Sequence, residues 1–156
     1  MINLRKASAK DCSLIWKWAN DSQVRAESFA TDAIAYNDHI KWFEHIINSP
    51  DCYLYVVENS NGKPIGQIRF ELEGNDATIS VSVDRKFRNK GYGSKIITLA
   101  SQNIFKISKA TVIHAYIKKE NSVSASAFRK AGFIFLEEAL IKAQHAVHLI
   151  LEKNNK

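Results

Sequence analysis

The chain has 156 residues, 46% hydrophobic and 24% charged, which fits one folded domain of about 150 residues and excludes a disordered chain. Glycine (6) and proline (2) are too scarce for a collagen-like or linker-rich protein. Lys plus Arg number 22 against 16 Asp plus Glu, a net charge of +6, which favours anionic partners such as phosphorylated cofactors or nucleotide sugars.

In chain order, Ile2 to Lys6 alternates and predicts a short strand. Asp11 is a candidate N-cap for a helix with Leu14, Ile15 and Trp18 on one side. Ser22 to Ser28 predicts a second short helix or turn. A longer helix is expected from about Asn37 to Asn48, with Tyr36, Ile40, Phe43 and Ile47 on its apolar stripe. Ser49-Pro50-Asp51 ends it. The period then changes to two. Cys52 to Glu58 and Pro64 to Glu73 predict a hairpin around Asn61-Gly62. Ala77 to Asp84 predicts a third strand, with Ile79, Val81 and Val83 on one face and Thr78, Ser80 and Ser82 on the other. Ser94 to Ile107 predicts a helix with Ile96, Ile97, Ala100, Ile104 and Ile107 inward. A strand from Thr111 to Lys118 follows, then a helix from Asn121 to Ala131 stopped by Gly132. Phe133 to Glu138 and Ala146 to Glu152 predict a closing strand pair. The order β-α-α-β-β-β-α-β-α-β-β predicts a single α/β domain over residues 1–153, with helices on both faces of a mixed, mostly antiparallel sheet and a frayed tail at 154–156.

The most informative stretch is Ile79 to Ile97. An apolar strand runs into Arg88-Asn89-Lys90-Gly91-Tyr92-Gly93, and a helix follows at once. A helix N-terminus presents open N–H groups and the positive dipole end, and glycines let the main chain close on an anion. The arrangement predicts a pyrophosphate cradle made of backbone. It lacks the Gly-Lys-Ser/Thr ending of the nucleotide P-loop and the third glycine of the dinucleotide fingerprint. The neighbouring cations Arg85, Lys86, Arg88 and Lys90 lie in one short loop and form no extended basic surface, so nucleic acid is not an expected partner. No apolar run approaches the ~20 residues of a membrane span. Cys12 and Cys52 form no ligand or disulfide pattern and are expected to be reduced, as in a cytoplasmic protein. His145 and His148, three apart on a strand, face opposite ways, so no metal is expected.

Arg88, Gly91 and Gly93 resemble motif A of the GNAT family of N-acetyltransferases. Asn121-x-x-Ser124 through Phe128-x-x-x-Gly132-Phe133 resembles the family's motif B helix and the strand it enters, and the element order agrees over nearly the whole chain. The resemblance implies acetyl-CoA as donor substrate, bound in a V between the fourth and fifth strands. It implies that Val81, Ser82 and Val83 pair with the pantetheine through main chain. It further implies that Arg88, Asn89, Lys90, Gly91, Tyr92, Gly93 and Ser94 hold the pyrophosphate, and that Asn121 contacts the pantetheine arm. The oxyanion donor would be a main-chain N–H of the Ser80–Val83 strand, with Ser82 among the catalytic positions.

Many relatives carry a tyrosine acid seven residues after the motif B asparagine. Here Phe128 stands there and has no proton to give. Tyr116 is the candidate substitute, with Ser124 and Ser126 behind it. A thiol pKa of about 8.5 also makes the thiolate a tolerable unaided leaving group. His39 is the candidate base, since its titration range suits the task.

The segment Val24-Arg25-x-x-Ser28-Phe29 followed by His39-x-x-Trp42-Phe43 resembles the branch of the family that acetylates 4-amino nucleotide sugars in pseudaminic-acid and related surface-glycan pathways. It implies a UDP-linked deoxyamino sugar as acceptor, Arg25 as a phosphate or sugar contact and His39 as a sugar contact or base. Strand parity independently puts Gln67, Arg69 and Glu71 on one face and Ser80 and Ser82 on one face of the next strand, a polar floor for a hydroxyl-rich acceptor if register brings them together. Trp16, Trp18 and Trp42 are core residues or stacking platforms. Two other readings stay open: a protein or N-terminal amine acetyltransferase, and a CoA-binding module without catalysis. A homodimer is compatible with all three.

Overall fold

The structure, a computed structural model, describes residues 1–154. Asn155 and Lys156 of the expected tail lie outside the described residues. Strands β1 (Ile2–Lys6), β2 (Cys52–Asn59), β3 (Pro64–Glu73), β4 (Asp76–Val83), β5 (Val112–Lys118), β6 (Ile134–Ile141) and β7 (Gln144–Glu152) form one sheet in the order β1-β2-β3-β4-β5-β7-β6. Every neighbouring pair is antiparallel except β4 and β5. Five helices are described: α1 (Cys12–Ala19), α2 (Ser22–Glu27), α3 (Tyr36–Asn48), α4 (Tyr92–Ile107) and α5 (Ser122–Lys130).

The alternation of β2 shows why helices cover both faces. Leu54 and Val56 point into a cluster with Ile15 and Trp18 of α1 and Phe43 and Ile46 of α3. Val57 points into the larger core, where Ile68, Phe70 and Ile79 meet Ile96, Ile97 and Ile104 of α4 and Phe128 of α5. Each apolar side chain taken from water contributes roughly 1.5–3 kcal/mol, so the two clusters fix both layers on the sheet.

The parallel pair is the exception that makes a site. β4 and β5 pair only at Asp76↔Val112, Ala77↔Ile113 and Thr78↔His114. From Ile79 onward the β5-facing edge of β4 has no ladder. Meanwhile β3 stays paired along the other edge of β4 as far as Gly66↔Val83. Gly66 is needed there, because a Cβ on it would stand 2.6 Å from the Ser82 carbonyl oxygen.

Several expectations are corrected in detail. Asp11 precedes α1 but does not cap it with its side chain. Its carboxylate instead accepts bonds from both Arg5 Nη atoms (2.9 and 3.0 Å) and from the Ser8 N–H (2.8 Å). The buried stripe of α3 is His39, Phe43 and Ile46 rather than Tyr36, Ile40, Phe43 and Ile47. The i, i+4, i+7 row that faces α1 and β2 carries the histidine, because the helix is set by its contacts and not by its most apolar residues. Ile107 is 50% exposed at the frayed end of α4. The closing strands are longer than expected and meet at a two-residue turn in which Lys142 (φ 50) and Ala143 (φ 63) both take the left-handed region. That turn carries no glycine or asparagine, so sequence reasoning stops both strands too early.

Candidate active site

One cavity of about 1340 Å³ opens where β4 and β5 part. Its walls come from both arms of the V, from the loop before α4, from the first turns of α4 and α5, and from α1 to α3. All of the expected site residues line it except Lys90. Lys90 stands outside, with its ammonium 5.8 Å from the Phe87 ring centroid.

On the α4 side the geometry is main chain. Gly91 is the N-cap of α4 with φ 81, and no side chain caps the helix. The first-turn N–H groups at Tyr92, Gly93 and Ser94 have no acceptor within the helix. Asn89 also takes positive φ (62). The cavity therefore meets a ring of backbone donors at the positive end of a helix of 16 residues, which suits a pyrophosphate. Arg88 lines the cavity but is largely committed to protein. Its Nε donates to the Val83 carbonyl (2.9 Å), Nη1 to Gln23 Oε1 (3.1 Å), and Nη2 pairs with Asp21 at 3.2 Å. Here the Arg88 side chain clamps the loop to α2. Asn121 caps α5, its Oδ1 accepting from the Ser124 N–H at 3.1 Å.

On the α1–α3 side the geometry is side chains. Register places Gln67 opposite Ser82 and Arg69 opposite Ser80, so the polar floor forms as expected. Gln67 Nε2 donates to Ser82 Oγ (3.0 Å), and its Oε1 is buried without a hydrogen-bond partner. Arg69 lies over the Trp42 ring (5.1 Å to centroid) and bonds Glu71 through Nε (3.2 Å). Of the three tryptophans only Trp42 lines the cavity. Trp16 Nε1 donates to the Ile34 carbonyl and Trp18 Nε1 to Asp84 Oδ2, both at 2.8 Å, so these two fasten the fold.

Arg25 lines the cavity, but its guanidinium is occupied by the chain itself. Nε donates to the Ala19 carbonyl (2.7 Å), Nη1 to the Ala30 and Asp32 carbonyls (2.8 and 3.3 Å), and Nη2 to Ser28 Oγ (3.2 Å). In this structure Arg25 organises the 28–34 loop that walls the cavity; it is not poised as an anion contact. His39 is buried, with Nε2 at 2.9 Å from the Cys12 carbonyl. A carbonyl only accepts, so Nε2 carries the proton and Nδ1 is the basic nitrogen. Burial lowers its pKa, which keeps the ring neutral at pH 7.

Tyr116 stands on β5 at the cavity wall, 37% exposed. Phe128 is buried edge-on against Phe133, at 5.1 Å between centroids. Sequence reasoning overlooked Lys118, which is buried and donates from Nζ to the Ala26 carbonyl at 2.8 Å. It also overlooked His114, which meets His148 across β5 and β7. The motif His145-x-x-His148 drew attention to the wrong partner. No group of three metal-ligating side chains occurs among the described residues.

A family model described as the acetyltransferase (GNAT) domain matches residues 2–134. The chain belongs to the GNAT acetyltransferase family. As a GNAT protein it is an N-acetyltransferase by membership. No curated protein sequence matches the chain. Among solved structures, an aminoglycoside acetyltransferase in complex with coenzyme A is similar at 17% identity and TM-score 0.85, over 98% of this chain and 95% of that one. A spermidine N-acetyltransferase from Vibrio cholerae in complex with CoA and spermine is similar at 16% identity and TM-score 0.88, over 97% and 95%. A domain from Methanocaldococcus jannaschii is similar at 14% identity and TM-score 0.84, over 98% and 99%. At these identities the likeness establishes the fold of the GNAT chain and not its acceptor. No helix among the described residues is long and apolar enough to cross a membrane.

Proposed function

We propose that this N-acetyltransferase moves the acetyl group of acetyl-CoA to the 4-amino group of a UDP-linked deoxyamino sugar. The observation that supports the acceptor class is Arg69 on the α1–α3 side of the cavity, beside Trp42. A nucleotide diphosphate is an anion and suits an arginine there, whereas polyamines and aminoglycosides are polycations. Arg69 suits the phosphate contact: among the described residues only its Nε donates a hydrogen bond to protein, and its guanidinium lies over Trp42. Trp42 beside it offers a flat face to a base or sugar, and Gln67, Ser80 and Ser82 offer partners to hydroxyls.

In the reaction the amine nitrogen attacks the thioester carbonyl, the N–C bond forms and the C–S bond breaks. The unpaired β4 edge at Ser80–Val83 supplies main-chain N–H groups for the developing oxyanion. The N-terminal turn of α4 holds the donor's pyrophosphate, so much of the rate comes from alignment. The amine must be neutral to attack, and His39 Nδ1 accepts its proton or that of a bridging water. Tyr116 Oη donates to the departing thiolate in place of Phe128.

The test is CoA release with acetyl-CoA and three acceptors, a UDP-4-amino-4,6-dideoxy sugar, spermidine and a basic peptide, with product masses read in parallel. Turnover of the sugar alone is the expected result. Turnover of spermidine or peptide with a silent sugar overturns the acceptor assignment, and acetyl-CoA binding without transfer to any amine overturns catalysis.

A further inference from the structure

On the face of the sheet that carries Tyr116, four ionisable side chains form a row across four strands. Asp76 Oδ1 on β4 lies 2.8 Å from His114 Nε2 on β5. His114 Nδ1 lies 2.8 Å from His148 Nε2 on β7. His148 Nδ1 lies 3.6 Å from Glu137 Oε1 on β6. The protons of the row follow from the chemistry of its ends. An ionised Asp76 only accepts, so His114 donates through Nε2. The bond between the two rings needs one N–H and one lone pair, so a single proton lies between His114 Nδ1 and His148 Nε2. Burial and the neighbouring His114 lower the His148 pKa, and Glu137 raises it in part.

The two rings meet nearly head-on, with centroids 5.0 Å apart and bonded nitrogens 2.8 Å apart. That alignment suits an N–H···N bond and not two ligands converging on one metal. The row also sits where β4 and β5 begin to part. His114 is the last β5 residue in the ladder with β4. Tyr116, two residues on and past the split, pairs with His148 in register and stacks on it, at 4.3 Å and 24° between rings. It stacks on His114 as well, at 6.5 Å and 10°. The other charged group on this side of β5, Lys118, is turned away to the Ala26 carbonyl.

We infer that the His114–His148 pair is a positioning device for Tyr116, holding the phenol at the cavity wall where it protonates the leaving thiolate. Beyond the split, β5 has no strand on the β4 side to pack a side chain against. A phenol on an open sheet face would sample its rotamers freely. A ring platform tied to the Asp76 carboxylate at one end and joined ring to ring by a hydrogen bond restricts that sampling, as supporting hydrogen bonds orient a ligand in a metal site. In the step served, Tyr116 Oη gives its proton to the CoA sulfur as the C–S bond breaks, and the phenolate regains a proton from solvent. The inference rests on Tyr116 as the acid, which the proposed function assigns.

The experiment has an acceptor-free half and a kinetic half. Long-range 1H–15N spectra of the imidazoles are expected to show His114 protonated at Nε2 and one N–H shared between His114 Nδ1 and His148 Nε2 at pH 7.5. A His114 without a proton at Nε2 would overturn the row. With acetyl-CoA and whichever amine of the panel turns over, Y116F is expected to lower kcat about 100-fold. H148A is expected to lower kcat about tenfold, with the KM for acetyl-CoA within twofold of the parent. H148F restores a ring to stack on without a titrating group, and is expected to recover most of what H148A loses. The double variant Y116F/H148A is expected to be no slower than Y116F. Multiplying losses in the double variant, or an unchanged kcat in H148A, would overturn the positioning role alone. Y116F at the parent rate would overturn the acid assignment itself. If H148A fails to fold, H148F against Y116F/H148F carries the same cycle: a tenfold or greater loss in H148F would overturn the platform.

Discussion

The two halves of the cavity are built by different means. The half around α4 is a run of consecutive residues whose main chain makes the donors, from Arg88 to Ser94, with the helix N-terminus behind it. The half around α1 to α3 is assembled from side chains far apart in the chain, Arg25, His39, Trp42, Gln67, Arg69 and Tyr116. A backbone cradle depends on φ, ψ and glycine, and tolerates many side-chain changes. A side-chain pocket depends on the contacts that hold each group, and those contacts come from other elements. Two cations show the contrast within one fold: Arg88 and Arg25 line the cavity, yet both act on the protein, one clamping the loop to α2 and the other tying the 28–34 segment.

The sharpest way to break this contrast is at Gly91. Its φ of 81 is strained for any β-branched residue. Gly91→Val is expected to weaken acetyl-CoA binding by about 10–100-fold, from a backbone cost of about 1–3 kcal/mol, measured by calorimetry. An unchanged affinity would mean that the cradle is not main chain.

Next in size is Arg25→Ala. It removes the donors from three carbonyls and a hydroxyl. Leaving such groups unpaired costs about 1–3 kcal/mol, and melting is expected about 2–12 °C lower, at about 2–4 °C per kcal/mol for a domain of this size. Acceptor KM should rise well above its parent value while acetyl-CoA affinity stays close to it. A stable variant that loses only phosphate-dependent acceptor binding would show that Arg25 reads the ligand after all.

The third effect concerns pH. His39 and His148 both have pKa values lowered in the fold. The unfolded chain then binds more protons than the native one in the range where free histidine titrates, near 6.5. Stability is therefore full above that range and falls as pH drops through the lowered values. Melting temperature is expected to decline between pH 7 and 5 before the aspartates titrate, and His39→Gln should flatten part of the slope. A flat parent profile would contradict the lowered pKa values of both rings.

The smallest effect is at Lys90, exposed and outside the cavity. Lys90→Ala should cost about 0.2–1 kcal/mol of acetyl-CoA affinity and lose that difference in high salt. A larger, salt-insensitive loss would place its side chain on the donor.

How much was legible follows the same division. The strand, the Gly91–Gly93 loop and the helix after it are neighbours in sequence, so their chemistry reads directly. The polar floor was legible because strand parity is strictly two and the tight β3–β4 turn sets the register. The burial of His39 was not, since α3 turns its histidine inward only because α1 offers the Cys12 carbonyl there. The row from Asp76 to Glu137 was hidden for a plainer reason: its members come from four strands whose lateral order, with β7 between β5 and β6, no local pattern records.

The amino-acid order carried the periodicities, the Gly91–Gly93 loop with its following helix, and the family, because each lies in residues close along the chain. Only the tertiary structure decided which arginine faces the cavity and which serves the fold, which histidine is buried, and which ring supports Tyr116. Those outcomes depend on partners tens of residues away, and a side chain's role is set by the groups that satisfy its hydrogen bonds once it is out of water.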